Sequence, residues 1–95
     1  MATLLKLKAK FEYGTLRVTA GAVQKVDADD AFIAFTRHIN GDWGDLARDD
    51  HEANELALEW GERLFSTFTD RNKQRFYITT EADRQSTTIL LPEEY

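Results

Sequence analysis

Residues 63–91 read RLFSTFTDRNKQRFYITTEADRQSTTILL, and this stretch decides the fold class. In 63–69, Leu64, Ser66 and Phe68 alternate with Arg63, Phe65 and Thr67, the period of two that a half-buried strand requires. Asp70-Arg71-Asn72-Lys73 is a turn, after which Phe76 and Ile78 oppose Tyr77 and Thr79 in a second strand over 75–80. A polar connection, 81–86, leads to a third strand over 87–91. Its uninterrupted Ile89-Leu90-Leu91 predicts burial on both faces, hence an inner position, before Pro92 ends it. The tail 92–95 is expected against the body, with Tyr95 packed and Glu93 or Glu94 near basic side chains.

Working outward, residues 19–61 carry helical spacing. Thr19 stands at an N-cap position ahead of AGAVQKV, a helix of one or two turns. Asp27, Asp29 or Asp30 can cap the next helix, whose Ala28, Phe32, Phe35 and Ile39 recur at helical intervals and define its expected buried face. Asn40-Gly41 stops it, with Arg37 and His38 in a last turn that favours positive charge. A loop, GDWGDL at 41–46, precedes a third helix. Asp49 and Glu52 read as its capping box, Ala53, Leu56, Ala57 and Trp60 as its buried face, and Gly61 as its terminator.

The N-terminal part also alternates. Leu5, Leu7, Ala9 and Phe11 oppose Lys6, Lys8 and Lys10, predicting a strand whose lysine row guards an exposed sheet edge. Gly14 marks a turn into a second strand over 15–19, with Leu16 and Val18 inward and Arg17 outward, so the two form a hairpin. The expected architecture is α+β: a small antiparallel sheet of about five strands, two to three helices on one face, in the order β-β-α-α-α-β-β-β. One domain, 1–95, is expected from the length of 95 residues and the absence of linkers or repeats.

Composition bounds function more loosely. There is no Cys, which excludes disulfides, thiolate metal sites and cysteine nucleophiles. No apolar run approaches a membrane span, and the lysine-interleaved start is unlike a signal peptide, so a cytoplasmic location is expected. The net charge of −5 is uneven: residues 1–26 carry +4, residues 27–62 carry −9 and residues 63–95 balance. An acidic segment of that size repels phosphates, so specific nucleic-acid binding is disfavoured. It suits either a solvated surface or a face that docks on a basic protein.

Several stretches resemble a family of small bacterial proteins carried on plasmids and other mobile elements, some labelled plasmid-related protein. They are TAGA at 19–22, RHINGDWGDL at 37–46, the segment 54–57, RLFS at 63–66 and ITTEADRQSTTILLPEEY at 78–95, together most of the chain. Residues 1–13 and Gln85 depart from that pattern. The resemblance implies a mobile-element context and no particular activity.

Two clusters could carry chemistry. His38, Asp42, Asp45, Asp49, Asp50, His51 and Glu55 offer imidazoles and carboxylates for a weak metal-dependent or hydrolytic enzyme, although no His-Glu-x-x-His or EF-hand pattern is present. Each of these acids also suits a helix start or a loop bond, so neither a divalent-metal site nor a cofactor is expected. In the second cluster, Glu81, Asp83 and Arg84 precede Ser86, Thr87 and Thr88, where Arg84 could clamp an anion or the whole could be an ordinary turn. Trp43 either plugs the core or, if exposed, anchors an interface. The leading expectation is a small protein-interaction module that binds a host or element-encoded protein, such as a defence nuclease. Its contact surface would be an acidic face around Trp43, with Asp42, Asp45, Glu81, Asp83 and Arg84. The enzyme is one alternative. A nucleic-acid accessory protein using Lys6, Lys8, Lys10 and Arg17 is the other, and a homo-oligomer is compatible with each.

Overall fold

The computed structural model describes residues 8–95, so Lys6 and most of the expected first strand lie outside the described residues. Residues 8–14 are irregular, not a strand. The elements that follow are β1 (Thr15–Val18), α1 (Ala20–Lys25), α2 (Ala28–Ile39), α3 (Arg48–Trp60), β2 (Leu64–Thr69), β3 (Arg75–Thr80) and β4 (Ser86–Leu90), closed by a short 3-10 turn at Pro92–Glu94. The α+β class stands, but among the described residues the sheet has four strands, in the order β1-β4-β3-β2, and is mixed. β2, β3 and β4 are antiparallel neighbours, whereas β1 runs parallel to β4, pairing Leu16 with Thr87 and Val18 with Ile89. The expected hairpin at Gly14 fails for a steric reason. Gly14 has φ +63° and lies so close to the Gln85 backbone that a Cβ would come within 2.2 Å of it, so the chain there approaches β4 and does not reverse.

Local chemistry explains the helix starts. Thr19 Oγ1 accepts from Ala22 N (3.1 Å), and Asp27 Oδ1 accepts from Asp30 N (3.0 Å). The β2–β3 turn is tied to the start of α2: Asp70 accepts from Asp27 N (2.9 Å), and Arg71 pairs with Asp30 (3.0 Å). That Asp27 amide, foremost among several backbone donors, holds the Asp70 carboxyl below the usual carboxylate range. On the inner sheet face, Phe68, Phe76, Ile78 and Ile89 pack against Ala34, Phe35 and Ile39 of α2. A second cluster joins Trp43, Ala57 and Leu64, and Phe11 packs against it as well as against the first.

Three expected faces turn out differently. Phe32 is 54% exposed because α2 settles with Ala34, Phe35, His38 and Ile39 inward, displacing the stripe that ran through Phe32. Leu16 and Val18 point to the helix side but stay 40% and 42% exposed, since β1 is an edge strand covered only partly by α1 and α2. In the tail, Glu94 is held by the Thr19 hydroxyl (2.6 Å) and Leu91 N (2.8 Å), with no ion pair, while Tyr95 lies edge-on to Phe65 and Tyr77 yet is 61% exposed.

A polar chain crosses the core. His38, with no exposed surface, places Nδ1 2.6 Å from Ser66 Oγ and Nε2 2.9 Å from Thr80 Oγ1. Thr80 Oγ1 lies 2.7 Å from Thr87 Oγ1, which donates to Tyr13 O at 2.8 Å. These bonds fix the protons. Thr87 uses its hydrogen on Tyr13, so Thr80 must donate to Thr87; Nε2–H therefore donates to Thr80, and Nδ1 accepts from Ser66. The imidazole, Thr80 and Thr87 each donate once, in one direction, and the Ser66 hydroxyl, 2.6 Å from Nδ1, also lies 3.4 Å from Ile78 O.

Burial, reinforced by the Arg84 charge, pushes the His38 imidazole down to about 3 from 6.5. The unfolded chain takes up this proton as pH falls through 6.5, whereas the folded chain refuses it until about 3. Stability is therefore greatest above 6.5 and declines towards acid. Between pH 7.5 and 5, denaturant titration is expected to show a loss of about 2 kcal/mol, absent in a folded His38→Gln protein. Deleting residues 87–95 removes the strand that separates β1 from β3 and is expected to abolish the cooperative thermal transition.

Candidate functional site

The loop at 41–46 exists to close the edge of β2. Thr67 N donates to Trp43 O (3.3 Å) and Asp45 N to Thr67 O (2.8 Å), giving a parallel bridge between Gly44 and Thr67. Gly44 makes this approach feasible: its φ is +70°, and a Cβ would sit 2.1 Å from Thr67 O. Asp42 accepts from Arg37 Nε (2.7 Å) and from Gly44 N (3.0 Å), the Arg37 bond being the main reason its carboxyl is held low. Trp43 has no exposed surface. Its indole stacks on Phe11 and meets His38 edge-on, and its N–H donates to Glu55 Oε1 at 3.0 Å. Trp43 is thus a core plug, and the interface anchor expected there is corrected: a loop used as a strand-edge cover turns its large apolar side chain inward.

The expected chemical clusters are dispersed. His38 lies in the interior, Glu55 serves the Trp43 indole, Asp45 is exposed in the loop, and Asp49 and Asp50 are exposed on α3, where half-buried His51 lies near enough to Asp42 for their charges to interact. Among the described residues, no group of three or more His, Asp or Glu could hold a metal ion. Arg84 donates to Ala57 O (3.3 Å), Glu62 O (2.7 Å) and Glu81 O (3.0 Å), which are carbonyls at the end of α3 and the start of the β3–β4 turn. These bonds use three of its five N–H donors and make it a strap that holds the end of α3 to the β3–β4 turn. Asp83 accepts from Gln85 N (3.0 Å) and Glu81 pairs with Arg63 (3.6 Å), so both serve the turn and its surroundings. Lys8 and Lys10 lie beside the end of α2, where Asn40 donates to Lys8 O and Lys10 N to Ile39 O. Arg17 stands on β1, and Lys6 lies outside the described residues.

What the sequence pattern missed is the roll of α3. The helix begins at Arg48 after Ala47, which makes no side-chain cap bond, so Asp49 opens no capping box. Asn54 sets the orientation: its Oδ1 accepts from Phe65 N (3.1 Å) and its Nδ2 donates to Phe65 O, completing the β2 edge begun by the loop. With Asn54 and Ala57 inward, Leu56 and Trp60 point outward, 56% and 73% exposed. Asp49, Glu52 and Glu59 share the outward side at helical spacing, without counter-charges apart from the Arg48–Glu52 pair at 3.7 Å. An exposed aromatic side chain framed by carboxylates therefore lies on α3, at Trp60 and not at Trp43. Apolar spacing could not find it, because the residue that orients the helix is polar.

Among the described residues, no helix is long and apolar enough to cross a membrane. No family model, curated protein or solved structure matches the chain. Asn54→Ala leaves two β2 backbone groups without partners and is expected to lower unfolding free energy by about 2–3 kcal/mol in denaturant titration.

Proposed function

We propose that the chain is a protein-interaction module whose contact surface is the outward side of α3. The observation that carries this reading is Trp60, 73% exposed beside Leu56 on a helix dominated by carboxylates. Exposed Trp anchors dominate binding hot spots, and two large apolar side chains one turn apart match the pattern by which helices enter grooves. Asp49, Glu52 and Glu59 supply a rim that favours a partner with a basic border around an apolar cleft and speeds its approach. Asp45 is exposed in the loop ahead of α3 and makes no ion pair among the described residues.

We further propose, on the sequence resemblance alone, that this partner is encoded by the host or by a mobile element. A defence nuclease fits that requirement well, because surfaces that bind nucleic acid are basic. Affinity capture from the native host, comparing the chain with Trp60→Ala and Leu56→Ser, tests the proposal. Both variants are expected to keep the thermal midpoint, since neither side chain is buried, and to lose one specific protein partner by tenfold or more. Equal capture by all three proteins would reject this surface.

A further inference from the structure

The two edges of the sheet are treated differently. The β2 edge is covered by Trp43, Asp45 and Asn54, as described above. At the other edge, Thr15 N donates to Gln85 O and Thr19 N to Ile89 O, so the odd residues of β1 turn their backbone groups towards β4. The N–H and C=O groups of Leu16 and Val18 consequently point away from the sheet, and they have no backbone partner among the described residues. The side chains of the same two residues face a groove of about 280 Å³ floored by Ala22, Phe35 and Ile89 and walled by Val23 and Phe32. Val23 is 67% and Phe32 54% exposed. Between them in sequence, Arg17 projects from the opposite sheet face, and it makes no ion pair among the described residues.

We infer that the β1 edge and its groove form a strand-addition site for an extended segment of another protein, in which two apolar residues flank an acidic one. The backbone of such a segment bonds to Leu16 and Val18. Strand alternation sends its two apolar side chains into the groove and its carboxylate to the outer face opposite Arg17, where a cross-strand pair of opposite charge is favourable. An unpaired sheet edge beside an exposed apolar groove is otherwise an aggregation hazard, and β1 carries only Arg17 against it. This surface is separate from the outward side of α3 and stands or falls independently of it.

The probe is an acetylated, amidated and fluorescently labelled Ser-Val-Glu-Val-Ser peptide, titrated into the full chain by anisotropy. Saturable binding at roughly 10–100 μM is expected, with the amide signals of Leu16 and Val18 shifting in a ¹⁵N spectrum. Arg17→Glu should weaken it about fivefold to tenfold and transfer the preference to Ser-Val-Lys-Val-Ser. Val23→Asp and Phe32→Asp, at exposed positions, should abolish binding while the chain stays folded, and a fully N-methylated peptide should not bind. Trp60→Ala should leave the titration unchanged. The inference is overturned by no saturation, or by binding indifferent to the Arg17 charge. Binding that emerges only after residues 1–7 are removed assigns the groove to the chain's own leader and overturns it too. So does a concentration-dependent dimer lost in Phe32→Asp, which assigns the edge to a second copy.

Discussion

The neutral imidazole of His38 is the constraint around which this fold is arranged. It stands on α2, yet its two nitrogens reach β2 through Ser66 and β3 through Thr80, and the chain of hydroxyls continues to β4 and to Tyr13 ahead of β1. Five segments thus share one set of buried protons. A buried polar group without partners is expensive, so this network tolerates only the registers that keep every distance. The pairings of Thr80 with Thr87 and of Leu64 with Thr80 follow from it as much as from the apolar residues around them. A serine bonded to a histidine resembles catalytic machinery in a list of residues. Here both are fully buried, and every proton has a structural use.

The next constraint is the β2 edge. Two devices converge on it: the bridge between Gly44 and Thr67, made by the Trp43 carbonyl and the Asp45 amide, and the Asn54 carboxamide. Their combined demand dictates where Trp43 and α3 go. Trp43 must enter the core because its carbonyl is committed to Thr67. Asn54 must face the sheet, and the rest of α3 rolls accordingly, leaving Leu56 and Trp60 in solvent. The proposed contact surface is in this sense a by-product of closing a sheet edge, since one strand's backbone requirement determines what another element shows to the outside.

Electrostatics follow the same division. The carboxylates with a backbone or arginine to serve, Asp27, Asp30, Asp42 and Asp70, sit at the starts of helices and turns. Those on the outward side of α3 have only the Arg48–Glu52 pair among them, at 3.7 Å. That contrast separates structural acids from available ones better than sequence position does, because Asp27, Asp30 and Asp42 belong to the same acidic segment as the acids of α3.

The sequence by itself determined the α+β class, the three C-terminal strands to within a residue, the inner position of the last of them, the Thr19 cap, a second cap among Asp27, Asp29 and Asp30, and the stop at Gly61. Each rests on contacts between residues close in the chain, or on a periodicity that any core would impose. Only the tertiary structure decided that β1 runs parallel to β4, that Phe32 and Trp60 are exposed, and that Trp43 is buried. For β1, Trp60 and Trp43 the deciding partner lies on another element: Gln85 for Gly14, Phe65 for Asn54, Thr67 for Gly44. Hydrophobic spacing states how apolar a face is. Where a polar side chain must meet a strand's backbone, that bond, and not the spacing, sets which face turns inward.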